Sequence, residues 1–253
     1  MHPFAKLSVP KGSVAIHWFE QNSYAIKDSH STIVLIDPYF PHNRPADVFV
    51  HPEPPLDESQ LPVNFVLVTH AHGDHTCSET LSRIRKYWHG SIFIGPKESI
   101  NQILKETNTD EAHTKSISAG ESIKIGSMTV YAVYAKPPQG DPASGINPPD
   151  VTHLGYIIEA EGIRLYFSGD EINTFANIDE LIKPIAELHP DIGFITTHPT
   201  EGEFPFFEGS IRMSELIGLK TVVPAHYSCF VKRDFDPNKW ASEFPPNGPK
   251  PLI

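Results

Sequence analysis

Short apolar runs separated by polar turns recur along the chain of 253 residues. In the first third, the β-rich runs 14–18, 23–27 and 32–37 predict three strands. The run 64–69 has apolar side chains at successive positions, which is typical of a strand that is covered on both faces. Residues 38–62 are rich in proline and polar side chains, which predicts a long loop between the third and fourth strands.

A helical period begins after the fourth strand. The segment 76–88 has an apolar stripe at spacings of 4, 3 and 4 residues, formed by Cys77, Leu81, Ile84 and Trp88. Further helices are predicted at 96–106, 178–188 and 210–217, and further strands at 91–94, 121–125, 128–135, 153–160, 164–168, 191–196 and 221–223. Interspersed strands and helices predict an α/β fold of mixed sheets with helices outside. Because no composition break divides the chain, we expect one domain over 1–253, with a proline-rich tail from about residue 231.

Composition narrows the classes of partner and the cellular setting. The net charge of −11 disfavours a nucleic-acid surface, which needs basic side chains to meet phosphates. No apolar run is long enough to span a membrane, and the N-terminus lacks the hydrophobic segment of a signal peptide. The two cysteines, Cys77 and Cys229, form no disulfide framework. We therefore expect a cytoplasmic protein that binds neither nucleic acid nor membrane.

Three histidines and an aspartate follow the fourth strand, in the stretch THAHGDH. His70 and His72 are two residues apart, so an extended backbone directs both to one side, where they can bind one ion. Asp74 and His75 follow a glycine bend and can reach a second ion. Imidazoles this close repel each other when protonated, whereas a metal ion requires deprotonated ligands. The stretch therefore predicts a metal site.

Other metal-type residues lie at the ends of other predicted strands. His153 opens one strand, and Asp170, His198 and His226 each follow one. Because strands of one sheet often deliver loop residues to a common edge, we expect several of these side chains to meet. Asp170 can bridge two ions, and His153 and His226 can complete the two ligand sets. Nitrogen and oxygen donors suit zinc or manganese, with iron as an alternative. The sequence thus predicts two divalent ions.

A few further residues are candidates for supporting roles. Asp37 can accept the free N–H of a ligand histidine or cap a turn. Tyr227 can bind a substrate oxygen or pack against the fold, and Lys136 is a further candidate to contact the substrate or a metal ligand. His198 can protonate a leaving group, or serve only the structure. The pair Lys232 and Arg233 can meet an anionic substrate or remain solvated.

The residues quoted above resemble a known family. THAHGDH resembles the HxHxDH signature of the metallo-β-lactamase superfamily, and SGD (168–170) and PAHY (224–227) follow in that superfamily's order. IDPYF (36–40) resembles its early strand end. The resemblance extends from about residue 13 to residue 230 and implies a four-layer αββα sandwich with a dinuclear site at the sheet edge. The stretch HLGYIIEAEGIRLYFSGD is similar to the branch that holds L-ascorbate-6-phosphate lactonase and related metal-dependent hydrolases.

One position departs from the family pattern. Many members place the third ligand of the first metal after the strand that corresponds to 128–135. A second proline-rich loop, 136–152, follows this strand here. Here VYAKPPQG places Lys136 at that position, and His153 is the nearby substitute. The sequence leaves open whether His153, Lys136 or a water completes the first ligand set.

Together these features predict a metal-dependent hydrolase. A water between the two ions would attack an ester or lactone, with Asp74 positioning it and His198 protonating the leaving group. The resemblance favours a phosphorylated sugar-acid lactone, which would be a small and anionic substrate. Three alternatives remain: a phosphodiesterase, iron-dependent oxygen chemistry on the same scaffold, and a non-catalytic metal-binding module. Association with further copies of the chain is left open.

Overall fold

Two β-sheets form the centre of the computed structural model, which describes residues 1–253. The six strands of the first sheet lie side by side in chain order. They are β1 (Ala15–Glu20), β2 (Ser23–Lys27), β3 (Ile33–Ile36), β4 (Phe65–Leu67), β5 (Ile92–Gly95) and β6 (Thr114–Ser116). Strands β1 to β3 pair antiparallel and β3 to β6 pair parallel, so the sheet is mixed.

The second sheet has seven strands, which also lie in chain order. They are β7 (Ser122–Ile125), β8 (Met128–Tyr134), β9 (Leu154–Ala160), β10 (Ile163–Phe167), β11 (Ile192–Thr196), β12 (Thr221–Ala225) and β13 (Lys250–Pro251). Strands β7 to β10 pair antiparallel and β10 to β13 pair parallel. Parallel neighbours share the direction of their carboxyl ends, and both sheets therefore offer loops at one edge.

Six helices cover the outer faces of the two sheets. They are α1 (Pro3–Lys6), α2 (Ser78–Tyr87), α3 (Lys97–Glu106), α4 (Asp179–Ala186), α5 (Phe207–Ile217) and α6 (Pro237–Ser242). The apolar stripe of α2 packs on the first sheet, where Leu81 and Ile84 contact the layer that contains Val66 and Phe93. None of the six helices has both the length and the apolar composition that a bilayer-spanning segment needs.

Three hydrophobic clusters separate the layers. The middle cluster joins the inner faces of both sheets and includes Ile26, Leu67 and Phe194. One outer cluster lies between the first sheet and α2 and α3, and the other lies between the second sheet and α4, α5 and α6. Each fully buried large apolar side chain contributes about 1.5–3 kcal/mol to folding. The order helix, sheet, sheet, helix confirms the predicted four-layer αββα sandwich.

The observed elements differ from the predicted ones mainly where they are short. The pattern missed α1, β6, α6 and β13, which have between two and six residues each. The predicted tail from residue 231 contains α6, which buries Trp240, and β13, which pairs with β12. Pro184 lies inside α4 without ending it. Tertiary contacts, rather than local propensity, stabilise these segments.

Candidate metal centre

The ends of four strands converge at one edge of the sandwich. The loop after β4 carries His70, and β9 begins directly after His153. The loops after β10 and β12 carry Asp170 and His226. The loop after β10 requires a glycine at position 169, because the φ of Gly169 is +67° and a Cβ there would lie 2.6 Å from the carbonyl oxygen of Leu154. The close approach of β9 therefore restricts the backbone at Gly169, directly before Asp170.

His70, His72 and His153 form the first group of metal-type side chains. One ligand atom of each lies within 4.8 Å of the others, and the rings of His70 and His153 are 4.0 Å apart. Nε2 of His70 and both ring nitrogens of His153 are buried without a hydrogen-bond partner. Buried polar atoms are nearly always paired, so these nitrogens require a ligand. A divalent ion held by three imidazoles fits this need.

Asp74, His75 and His226 form the second group. One ligand atom of each again lies within 4.8 Å of the others. Oδ2 of Asp74 is 3.8 Å from Nε2 of His75 and 3.8 Å from Nε2 of His226. A set of two imidazoles and one carboxylate also fits a divalent ion such as zinc, manganese or iron.

Asp170 lies between the two groups. Its Oδ2 is 3.8 Å from Nε2 of His70, in the first group. Its Oδ1 is 3.3 Å from Nε2 of His75 and 3.5 Å from Nε2 of His226, in the second group. Because the two oxygens face different groups, this carboxylate can be shared by two ions.

Burial keeps three of the histidines neutral. Burial, with the neighbouring His75 as a smaller cause, holds the pKa of His70 well below its usual value. Burial followed by the nearby Lys136 lowers the pKa of His153 to about 3. Burial also lowers the pKa of His226. Their nitrogen lone pairs are therefore available to a metal without loss of a proton.

The pKa values of His75 and Asp170 are shifted the other way, toward the charged form of each side chain. Burial by itself would lower the pKa of His75, but Asp170, Asp37 and Asp74 outweigh it and hold that pKa well above the usual value. Burial would raise the pKa of Asp170, but His75 and His226 hold it well below the usual range. Negative charge is thus concentrated at the centre of the site, which is the environment that attracts a cation.

Asp37 orients His75 from behind. Its Oδ2 accepts a hydrogen bond from Nδ1 of His75 over 2.7 Å. The same carboxylate is fixed by Thr69, whose backbone N–H and hydroxyl each donate to it over 2.7 Å. Since Nδ1 donates to Asp37, Nε2 is the nitrogen of His75 that faces the second group, and it would give up its proton to bind an ion there. This is the arrangement in which carboxylates usually support metal-binding histidines.

Asp150 contacts His72 in a similar way. Nε2 of His72 is 3.2 Å from Oδ1 and 3.1 Å from Oδ2 of Asp150. This leaves Nδ1 of His72 to face the first group. Asp150 belongs to the proline-rich segment 136–152, so the contact ties that loop to the site. No local pattern indicates this pairing, since 78 positions separate the two residues.

The turn between β1 and β2 supplies two further buried side chains. Nε2 of Gln21 is 2.9 Å from Oδ2 of Asp74. Nδ2 of Asn22 donates to Oδ1 of Asp170 over 3.1 Å. Neither residue was predicted to belong to the site. The available signal was the polar run EQNS between two apolar strands, which is unusual for a buried turn.

A cavity of about 600 Å³ opens above the two groups. His72, Asp74 and Asp170 lie at its base. Its walls come from the loop 38–62, from the segment between β11 and α5, and from the segment after β12, and they are formed by Asp47, Val48, Glu203, Phe230, Lys232 and Arg233. The volume is that of a small-molecule site.

Three residues that were predicted to act outside the two metal-type groups, His198, Tyr227 and Lys136, do not line this cavity. Nδ1 of His198 accepts hydrogen bonds from the backbone N–H of Glu201 over 2.7 Å and of Thr200 over 3.2 Å, so the ring holds a turn. The ring of Tyr227 stacks on Trp18 at 4.6 Å. Lys136 donates to Glu203 over 2.9 Å, and it is His153 that lies beside His70 and His72. A catalytic role for His198 and substrate contacts of Tyr227 and Lys136 stay predictions that no contact here supports.

Comparisons with known proteins agree with this architecture. The family model for the beta-lactamase superfamily domain matches residues 32–227. A metal-dependent hydrolase from Archaeoglobus fulgidus is 27% identical over 231 residues, which cover 88% of this chain and 87% of the relative. A metal-dependent hydrolase from Oenococcus oeni is 26% identical over 235 residues, which cover 91% of this chain and 93% of the relative.

Solved structures show the same fold. A metallo hydrolase from the archaeon Ignicoccus hospitalis has a TM-score of 0.66 at 19% identity and covers 95% of each chain. An isothiocyanate hydrolase from Delia radicum gut bacteria has a TM-score of 0.68 at 13% identity and covers 91% of each chain. Because the family model spans most of the sequence, including every residue of the two groups and Asp170, the protein belongs to the metallo-β-lactamase superfamily.

Proposed function

We propose that the protein is a metal-dependent hydrolase that holds two divalent ions. The observation that carries this proposal is the position of Asp170, whose two oxygens face two separate groups at the base of one cavity. The curated relatives are named metal-dependent hydrolases, which supports the same function. Divalent ions bound there would supply Lewis acidity and a water of lowered pKa.

Each residue of the site has a separate task in this proposal. His70, His72 and His153 would hold one ion, and Asp74, His75 and His226 would hold the other. Asp170, whose two oxygens face the two groups, would be shared by both ions. Asp37 and Asp150 keep two of the imidazole rings in their tautomer and orientation.

Asp74 is the residue best placed to handle the attacking water. Its side chain is 22% exposed and lines the cavity, while Oδ2 is turned toward His75 and His226. The carboxylate can therefore orient a water and accept its proton at the base of the cavity. No other carboxylate combines contact with the ligand groups and access to the cavity, except Asp170, which is 4% exposed.

The cavity wall favours a small substrate with an anionic substituent. Lys232 and Arg233 bring two cationic groups to it, beside the apolar ring of Phe230, while Asp47 and Glu203 are the acidic side chains of the same wall. Arg233 lies over the ring of Phe204 at 4.9 Å and 3.7 Å from Glu203, so its guanidinium is held in place. We infer an ester or lactone, and the resemblance to the lactonase branch favours one on a phosphorylated sugar acid. A phosphodiester would meet the same two cations and is the second candidate.

The test combines metal content with a substrate panel on one sample. Mass spectrometry of the purified protein should find about two equivalents of zinc, manganese or iron per chain. Small lactones with and without a phosphate group, an aryl ester and bis-p-nitrophenyl phosphate should then be offered. Cleavage of the lactone or ester, lost with a chelator and restored by zinc or manganese, is the expected result. Cleavage of the phosphodiester alone would identify a phosphodiesterase.

Two other results would refute the hydrolase. Two bound ions without turnover of any substrate would indicate a metal-binding module. Iron together with substrate-dependent oxygen uptake would indicate oxygen chemistry on this scaffold.

The variants Lys232→Ala and Arg233→Ala should raise KM for an anionic lactone and leave KM for a neutral ester unchanged. Equal effects on both substrates would exclude the two cations from substrate recognition.

A further inference from the structure

We propose that Gln21 is an additional ligand of the second group, and that its amide oxygen binds the ion held by Asp74, His75 and His226. This inference rests on the proposed function, because it requires a second ion. The turn between β1 and β2 would then contribute directly to the metal centre. Three features of Gln21 support this role: its contacts with the second group, its unpaired amide oxygen and the hydrogen bonds of its backbone.

The end of the Gln21 side chain stands at nearly equal distance from all three ligand atoms. Its Nε2 is 2.9 Å from Oδ2 of Asp74, 3.3 Å from Nε2 of His75 and 3.3 Å from Nε2 of His226. Those three atoms lie within 4.8 Å of one another, and two of the separations are 3.8 Å. The amide therefore lies on the axis of the triangle that they form.

This position is one that a ligand additional to Asp74, His75, His226 and Asp170 could take. Zinc-type ions lie about 2.0–2.2 Å from nitrogen and oxygen ligands, so an ion bound by three atoms this far apart lies close to their plane. An atom that is 2.9 to 3.3 Å from each corner stands roughly 2 Å above that plane. The separation from the plane matches a metal–ligand distance.

The amide can present its oxygen at this place. Only the oxygen of an amide has a lone pair for a cation, and a half-turn about the last bond exchanges the oxygen with the nitrogen at almost no change in shape. In the orientation described, Oε1 is buried without a hydrogen-bond partner, while Nε2 donates to Oδ2 of Asp74 and lies 3.3 Å from Nε2 of His75 and of His226. Binding of an ion would give the unpaired oxygen a partner.

The backbone holds Gln21 in position before any ion binds. Its N–H donates to the carbonyl oxygen of Tyr227 over 3.0 Å, and its own carbonyl accepts from His226 over 3.2 Å and from the indole of Trp18 over 2.9 Å. The residue has a φ of +50°, as the tight turn requires. Since the turn is bonded to the segment that carries His226, both side chains keep their relative position.

A glutamine ligand would make the two metal positions unequal. The first group offers three imidazoles with one oxygen of Asp170, whereas the second would offer two imidazoles with oxygens from Asp74, Asp170 and Gln21. Imidazole suits zinc, and carboxylate or carbonyl oxygen suits manganese. We therefore expect the first position to select zinc and the second to accept manganese more readily than the first does.

The experiment measures metal binding to chelator-treated protein, so it does not depend on turnover. Wild type and the variants Gln21→Ala, Gln21→Leu and Gln21→Glu are titrated with zinc, manganese and cobalt by calorimetry and by competition with a chromogenic chelator. Gln60→Ala serves as the matched control, because Gln60 is half-buried and its side chain contacts Ser59 and the N-terminal amine, not a residue of the site. Cobalt absorption reports any loss of a ligand.

One equivalent should bind to every variant as it does to wild type. The other should bind about tenfold more weakly or worse in Gln21→Ala and Gln21→Leu, by analogy with the loss of supporting groups at metal sites. Gln21→Glu should retain the affinity or increase it, since a carboxylate oxygen reaches the same place. Gln60→Ala should match wild type. If Gln21→Ala does not fold, the contrast between Gln21→Leu and Gln21→Glu, which have similar volumes, carries the test.

Each contrary result has its own meaning. Two ions in wild type and unchanged affinity in all Gln21 variants would refute the ligand role and leave the proposed function intact. Tighter binding in Gln21→Ala would also refute it and would show that the amide competes with the ion. Fewer than two ions in wild type would refute both the role of Gln21 and the dinuclear site.

Discussion

A buried ion pair between Arg44 and Glu20 anchors the long loop 38–62 to the strand that leads into the turn of Gln21. Both side chains are at most 1% exposed. The guanidinium donates to the two carboxylate oxygens of Glu20 over 2.6 and 2.9 Å and to the carbonyl oxygen of His51 over 2.9 Å. Asp47 and Val48, from the same loop, form part of the cavity wall. Arg44→Ala would leave the carboxylate of Glu20 buried and without its partner.

The expected loss of stability is large. Removing one partner of a buried pair costs about 3–5 kcal/mol, because the remaining charge keeps its desolvation penalty. Whole domains are stable by only about 5–15 kcal/mol, so this single change removes a substantial share. For a chain of this length the midpoint of thermal unfolding should fall on the order of 10 °C. Loss of the guanidinium from the face of Phe49, 4.4 Å away, adds to the effect.

Urea unfolding of the chelator-treated protein, followed by circular dichroism, measures this loss without a contribution from bound metal. The double variant Arg44→Met with Glu20→Leu should recover most of the stability, because it removes both charges and fills the space. Lys183→Ala is the control, since its partner Asp179 and Lys183 itself are exposed, and the midpoint should barely change. A loss below about 1 kcal/mol in Arg44→Ala, or no recovery in the double variant, would refute the reasoning.

Four further predictions concern the metal centre. Asp170→Asn should cost both ions, and an unchanged metal content by mass spectrometry would remove this residue from the site. His153→Ala should lose about one equivalent; if two remain, Lys136 or a water completes the first ligand set. Asp150→Ala should weaken one ion by about tenfold in chelator competition, because His72 loses its hydrogen-bond acceptor; unchanged affinity would show that the contact has no role. Gly169→Ala should lower stability by more than about 1 kcal/mol in urea and reduce metal content, since the left-handed backbone and the near carbonyl exclude a Cβ.

Much of the fold followed from local pattern. The longer strands and helices have a period of two or of 3.6 residues, and each of these periods reflects one buried face. The residues of the HxHxDH stretch stand within six positions, so their convergence is decided by the backbone of one loop. The family resemblance then supplied the order of the layers, which periodicity does not contain. The short elements β6, β13 and α6 were not predicted, because their stability comes from neighbours that are distant in sequence.

The rest of the site depended on tertiary structure. Gln21 lies 53 positions before Asp74, and Asp150 lies 78 positions after His72, so no local pattern links these pairs. The place of His153 beside His70 follows from the pairing of β9 with its neighbours and from the packing of the two sheets. The sequence alone determined which residue types were available to bind a metal and which strands carried them. The packing of one sheet on the other decided which of them meet, because side chains that are distant along the chain come together only when both sheets present their loops at the same edge.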